Sequence, residues 1–93
     1  MREPLNPDEA KRLIGEALGR GSISFSRHAC DEMKQDKLDM VDCVNVLRAG
    51  VVEAPELEKG TWRYRVRTGT IVVVVAFADE MTVRVVTAWR IRR

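Results

Sequence analysis

The stretch running Phe25, Ser26, Arg27, His28, Ala29 holds the sole histidine of this 93-residue chain. An imidazole is the one side chain that ordinarily changes charge near neutral pH, so its placement matters. Ser26 is a good helix N-cap, which puts His28 in the first turn of a helix, near the positive end of its dipole. Such a position suits the neutral ring that a general base requires, and the neighbouring Arg27 acts in the same sense. Asp31, one turn further on, would either orient the ring or make the dipole contact usual for an acid at a helix start. The residues alone leave two readings open: His28 as an acid–base group, or His28 packing a helix start against a sheet.

The second chemical feature is a set of arginines. From Gly60 onward the apolar pattern takes a period of two: Trp62, Tyr64 and Val66 alternate with Arg63, Arg65 and Arg67. Later, Val83, Val85, Thr87, Trp89 and Ile91 alternate with Arg84, Val86, Ala88, Arg90 and Arg92. Between them lies Ile71 to Ala78, apolar on both faces and so a central strand. Alternation predicts that Ile71, Val73, Val75 and Phe77 pack with Trp62, Tyr64, Trp89 and Ile91 against helices. The opposite face would then carry Val72, Val74, Ala76 and Ala78 between rows of guanidinium groups. Planar, permanently charged guanidinium matches phosphate geometry, so this face is expected to meet a polyanion. A solvated arginine face is the plainer alternative.

These groups need elements to hold them. Asn6, Pro7 and Glu9 form a helix-start signature, and Ala10, Leu13, Ile14, Ala17 and Leu18 recur at helical spacing, which predicts a helix over 7–18. Ile23 and Phe25 alternate with serines as a short strand, and Ser26 opens a short second helix. Asp39 and Asp42 repeat the capping logic for a third helix that stops at Gly50. The segment from Val51 to Glu58 adds an edge strand interrupted by Pro55. The expected fold is α+β: an N-terminal helix, a short strand, a two-helix hairpin, then an antiparallel three- to four-stranded meander with helices on one face. One domain accounts for residues 1–93.

Composition bounds the rest. Apolar residues make up 45% and charged residues 32% of the chain, ordinary values for a folded globular domain. The longest apolar run, eight residues, is far short of a bilayer span, and no basic segment followed by an apolar stretch opens the chain, so a cytoplasmic location is expected. Cys30 and Cys43 lack metal-ligand spacing, and with one histidine they make no zinc set, so neither metal nor cofactor is expected. The net charge is only +2, yet residues 31–58 carry eight acids against three bases, whereas residues 61–93 carry seven arginines against Asp79 and Glu80. That asymmetry points to an anionic partner for the C-terminal third.

The stretch F-S-R-H-A-C-D-E-M, the helix D-M-V-D-C-V-N-V-L-R-A-G and the strand R-Y-R-V-R together resemble the small bacterial proteins grouped as a domain of unknown function (number four-two-five-eight). The resemblance covers roughly residues 22–90. RelE-like toxins lie in the same neighbourhood, and K-R-L-I in the first helix with C-V-N-V-L in the third is similar to the MqsR branch of messenger-RNA interferases. What this implies is a RelE-like fold, metal-independent cleavage of single-stranded RNA, and an antitoxin protein as partner. MqsR-type strands carry lysine, glutamine and tyrosine. Here the corresponding positions offer Arg63, Arg65 and Arg90, with valine near the place of the tyrosine. The expected catalytic set is therefore His28, as base or acid, with Arg63, Arg65 and Arg90. Arg27, Arg67, Arg84 and Arg92 are the expected RNA-binding set.

Overall fold

A computed structural model describes residues 1–92. The elements run α1 (Pro7–Arg20), β1 (Ser22–Phe25), α2 (Arg27–Gln35), α3 (Met40–Ala49), β2 (Val51–Val52), β3 (Glu56–Glu58), β4 (Thr61–Arg67), β5 (Ile71–Asp79) and β6 (Thr82–Arg90). The fold is α+β, as expected. All three helix starts use the residues that the sequence marks. The Asn6 side chain accepts from Glu9 N at 2.9 Å, Ser26 Oγ from Ala29 N at 3.0 Å, and Asp39 Oδ1 from Asp42 N at 2.8 Å. Each supplies an acceptor to a backbone donor that the helix itself cannot satisfy.

α1 runs two residues past its expected end. Gly19 does not stop it, and Arg20 Nη2 pairs with Glu16 one turn back at 2.6 Å. The chain turns instead at Gly21, where a Cβ would meet Met81 O at 1.9 Å, so only glycine allows this approach to the β5–β6 turn. α3 ends at Gly50, and Lys11 from α1 holds that end: its Nζ donates to Arg48 O at 2.9 Å and to Gly50 O at 2.7 Å. A cation on the last carbonyls of a helix satisfies acceptors left open there and complements the dipole.

The sheet order is β1-β6-β5-β4-β2, with β3 also paired to β4. β4, β5 and β6 form the expected antiparallel meander. β1 lies beside β6 in parallel register, Phe25 opposite Val85. β2 and β3 share the outer edge of β4, separated by Glu53, Ala54 and Pro55. β3 returns into β4 through Lys59 and Gly60, both at positive φ (50° and 79°), the two-residue turn whose twist matches a hairpin. This turn fixes register, setting Glu56 opposite Arg63 and Glu58 opposite Thr61.

Ile14, Cys43 and Leu47 from the helices meet Tyr64, Val66, Val73, Val75, Val83 and Val85 from the sheet in one buried cluster. Phe77 stands edge-on to Tyr64 with ring centroids 5.2 Å apart. The buried Tyr64 hydroxyl accepts from Leu5 N and donates to Glu3 Oε2, both at 2.9 Å, which ties the N-terminal segment to the core. Val72, Val74 and Ala76 on the opposite face of β5 are buried as well. That face is therefore covered more than simple alternation implies.

One irregularity reorders the side chains of β6. Val74 pairs with Thr87 but Val75 pairs with Val85, so Val86 is an extra residue, a β-bulge. Beyond it the alternation reverses. Ala88 takes the core position opposite Val73, and Trp89, expected in the core, stands on the other face opposite Val72. Arg90 is displaced accordingly: it falls opposite Ile71, on the side of the helices. Among the described residues no helix is long and apolar enough to cross a membrane.

Candidate functional site

Ser26 joins three elements. Its N–H donates to Val85 O at 2.9 Å, its Oγ donates to the bulge carbonyl Val86 O at 3.1 Å, and the same Oγ caps α2. β1 therefore stops where the bulge begins, and α2 continues alongside the second half of β6. At the other end of α2, Asp36 Oδ2 accepts from Arg90 N at 2.8 Å, and Arg90 Nε donates to Asp36 O at 2.8 Å. The helix is held at both ends against a strand edge that would otherwise be unpaired. Ala29 and Met33 face inward and are buried. His28, one residue before Ala29 and about 100° around the helix, reaches the open face of the sheet.

There His28 lines a groove of about 220 Å³ with Arg63 and Arg65 of β4, Thr87 and Trp89 of β6, and Glu56 and Glu58 of β3. Val74 and Val86 form its floor. A second, more open stretch of about 410 Å³ shares His28, Glu58, Arg63 and Val86 with the first, and adds Ser26, Lys59 and Arg84. The two adjoin around the imidazole as a channel with four lining residues in common. The His28 side chain is 67% exposed, and its Nε2 faces Glu32 Oε1 at 3.3 Å. Glu32 thus takes the orienting place that the sequence reading gives to Asp31.

The channel mixes charges. Arg65 faces Glu53 at 4.0 Å and Glu56 at 3.9 Å, Arg63 faces Glu58 at 3.8 Å, and Arg67 donates to Glu53 Oε2 at 2.8 Å. Arg65 also lies 5.6 Å from the centroid of the Trp89 ring, within cation–π range. The Nε–H of Arg63 is buried and makes no hydrogen bond, an orphan donor on the channel wall. Arg84 and Lys59 make no ion pair or side-chain hydrogen bond among the described residues, so neither cation at that end is held by a carboxylate. Among the described residues no group of three or more His, Cys, Asp or Glu side chains is placed to hold a metal ion.

Of the residues singled out by the sequence, His28, Arg63, Arg65 and Arg84 come together in this channel. Arg67 shares their face of β4 but is engaged by Glu53, and Arg27 is exposed and lines neither stretch. Arg90 and Arg92 do not join. The bulge turns Arg90 toward the end of α2, where its Nη2 also donates to Lys37 O at 3.2 Å, and Arg92 Nη2 pairs with Asp36 Oδ1 at 2.5 Å. Both are structural clamps on α2. Strand alternation alone also misses Trp89, Thr87, Glu56 and Glu58. A signal for the two acids was present, since a two-residue Lys59-Gly60 turn sets them beside the arginine strand.

No curated protein and no solved structure matches the chain. A family model matches residues 25–90, the span that contains Ser26, His28, the bulge and every strand of the channel. The chain accordingly belongs to the family described as Domain of unknown function (DUF4258).

Proposed function

We propose that this protein is a toxin-like ribonuclease with a RelE-like fold, which cuts single-stranded RNA without a metal ion and is held in check by an antitoxin partner. The observation that carries the reading is the shared channel: an accessible imidazole lining one groove with two guanidinium groups and an indole ring. RNA carries its own nucleophile, the 2′-hydroxyl, so cleavage needs proton transfer and charge stabilisation but no bound water activator. His28 supplies the proton transfer, worth about 10²- to 10⁴-fold in rate. Arg63 and Arg65 stabilise the charge that develops on the phosphoryl oxygens. Trp89 offers a face on which a base can stack, and Arg84 and Lys59 hold a flanking phosphate.

A second reading, a non-catalytic RNA- or protein-binding module, is favoured by one observation: Arg63, Arg65 and Arg67 each already face a carboxylate. One experiment separates the two. End-labelled single-stranded RNA is incubated with the protein in EDTA, and products are examined for 2′,3′-cyclic phosphate ends. Cutting is expected, with His28→Ala slowing it by about 10²-fold or more at unchanged stability, because the side chain is largely exposed. RNA that binds in a salt-sensitive way yet stays intact at low salt would leave the binding module, and absence of any salt-sensitive binding would leave a protein partner.

A further inference from the structure

We propose that Glu58 is the second acid–base group of the channel and works opposite His28, taking the proton of the RNA 2′-hydroxyl while His28 protonates the leaving 5′-oxygen. The inference rests on the ribonuclease reading and extends it. Its starting point is that the two stretches of the channel share two ionisable acid–base groups, His28 and Glu58, with Arg63 common to both. Either stretch therefore presents both groups to a bound strand.

The carboxylate is not explained by folding. The Glu58 side chain is 61% exposed and lies 3.8 Å from Arg63, beyond hydrogen-bond distance, and its carboxylate makes no hydrogen bond among the described residues. Exposed ion pairs of this kind contribute little to stability. Glu53 differs, being hydrogen-bonded to Arg67 at 2.8 Å, and Glu56 sits toward Arg65, outside the stretch that carries Arg84. A carboxylate in a channel for a polyanion weakens binding unless the chemistry uses it, and that of Glu58, held only by the long ion pair to Arg63, has both oxygens without a hydrogen bond.

The step balances. The 2′-oxygen loses its proton to Glu58 and bonds to phosphorus, the bond from phosphorus to the 5′-oxygen breaks, and that oxygen takes a proton from the His28 imidazolium. The products are a 2′,3′-cyclic phosphate and a 5′-hydroxyl. Exchange of one proton with water restores the starting forms. Arg63, which lines both stretches with them, serves the phosphoryl oxygens. Glu58 and His28 share their surroundings with the same charged groups, Arg63, Arg65, Glu56, Lys59 and Arg84, and His28 additionally faces Glu32 on its own helix.

The test compares wild type, Glu58→Gln and Glu58→Asp in single-turnover cleavage of RNA in EDTA across about pH 5 to 9, alongside binding of the same oligonucleotide with 2′-deoxy residues. Wild type should give a bell-shaped profile. Glu58→Gln should lose about 10²-fold or more in rate and its acid limb, while binding the deoxy oligonucleotide as tightly as wild type or a few-fold more tightly. Glu58→Asp should recover part of the rate. A purely electrostatic carboxylate makes the opposite prediction, that the glutamine variant cuts as fast as wild type or faster with both limbs intact, and that result overturns the inference alone. Failure of wild type to cut removes the ribonuclease reading and this inference with it.

Discussion

Replacing Ser26 with alanine removes a single oxygen that serves two elements, and its cost follows from the two bonds that oxygen makes. As an acceptor it caps α2 through Ala29 N at 3.0 Å, and loss of a serine cap ordinarily destabilises by about 1 kcal/mol. As a donor it satisfies Val86 O at 3.1 Å, a bond worth about 1 kcal/mol, more where the carbonyl is left without a replacement partner. The two losses share one atom and need not add strictly, which gives an expected total of about 2 to 3 kcal/mol. For a domain of this size that lowers the midpoint of thermal unfolding by roughly 10 to 20 °C. Urea unfolding followed by fluorescence of Trp62 and Trp89 measures it. Ser26→Thr keeps both the acceptor and the donor, and should stay within about 0.5 kcal/mol of wild type. Ser26→Asp keeps the cap but sets a carboxylate against Val86 O, and should fall well below Ser26→Thr. An alanine variant as stable as wild type, or a threonine variant as weak as alanine, would refute the dual role of Ser26.

Three further perturbations have defined outcomes. Lys11→Met deprives the end of α3 of its cation and should lower urea stability by about 1 to 2 kcal/mol, with faster amide exchange in the segment after Gly50. Burial pushes the Cys43 thiol up to about 11 and the Tyr64 hydroxyl up to about 12. The folded state then holds both protons more tightly than the unfolded chain does. Stability should be flat below about pH 8.5 and fall from there to about pH 12, a decline that Cys43→Ala shifts to higher pH and that urea midpoints read directly. Arg84→Glu should leave stability unchanged, since Arg84 makes no ion pair among the described residues, while weakening RNA binding and reducing its salt slope by about 0.7.

The local features of this fold are legible in the chain because each is decided by neighbours in sequence. Asn6, Ser26 and Asp39 announce their helices through short-range hydrogen bonds, and the uninterrupted apolar run of β5 announces a central strand. His28 is likewise placed correctly at a helix start. The arrangement of the arginine face is harder to read because it depends on partners far away. No glycine or proline marks Val86 as a bulge; its carbonyl is bonded by Ser26, sixty residues earlier, and that one extra residue exchanges the sides of Trp89 and Arg90. The parallel docking of β1 on β6 is equally non-local. The acids of β3 are a different case. They read as a separate acidic segment, although the Lys59-Gly60 turn contains the register that lays them against Arg63 and Arg65.

The central claim, that single-stranded RNA lies in the channel between the start of α2 and the β3–β4 hairpin, is tested most directly by nuclear magnetic resonance. A short oligonucleotide with 2′-deoxy residues, which binds without being cut, is titrated into isotope-labelled protein. The account predicts progressive shifts of the His28 ring, the Arg63 and Arg65 Nε–H groups and the Trp89 indole N–H, with Arg90 and the buried Tyr64 unmoved. Shifts confined to the surface around Arg90 and Arg92, or none at low salt, would contradict it.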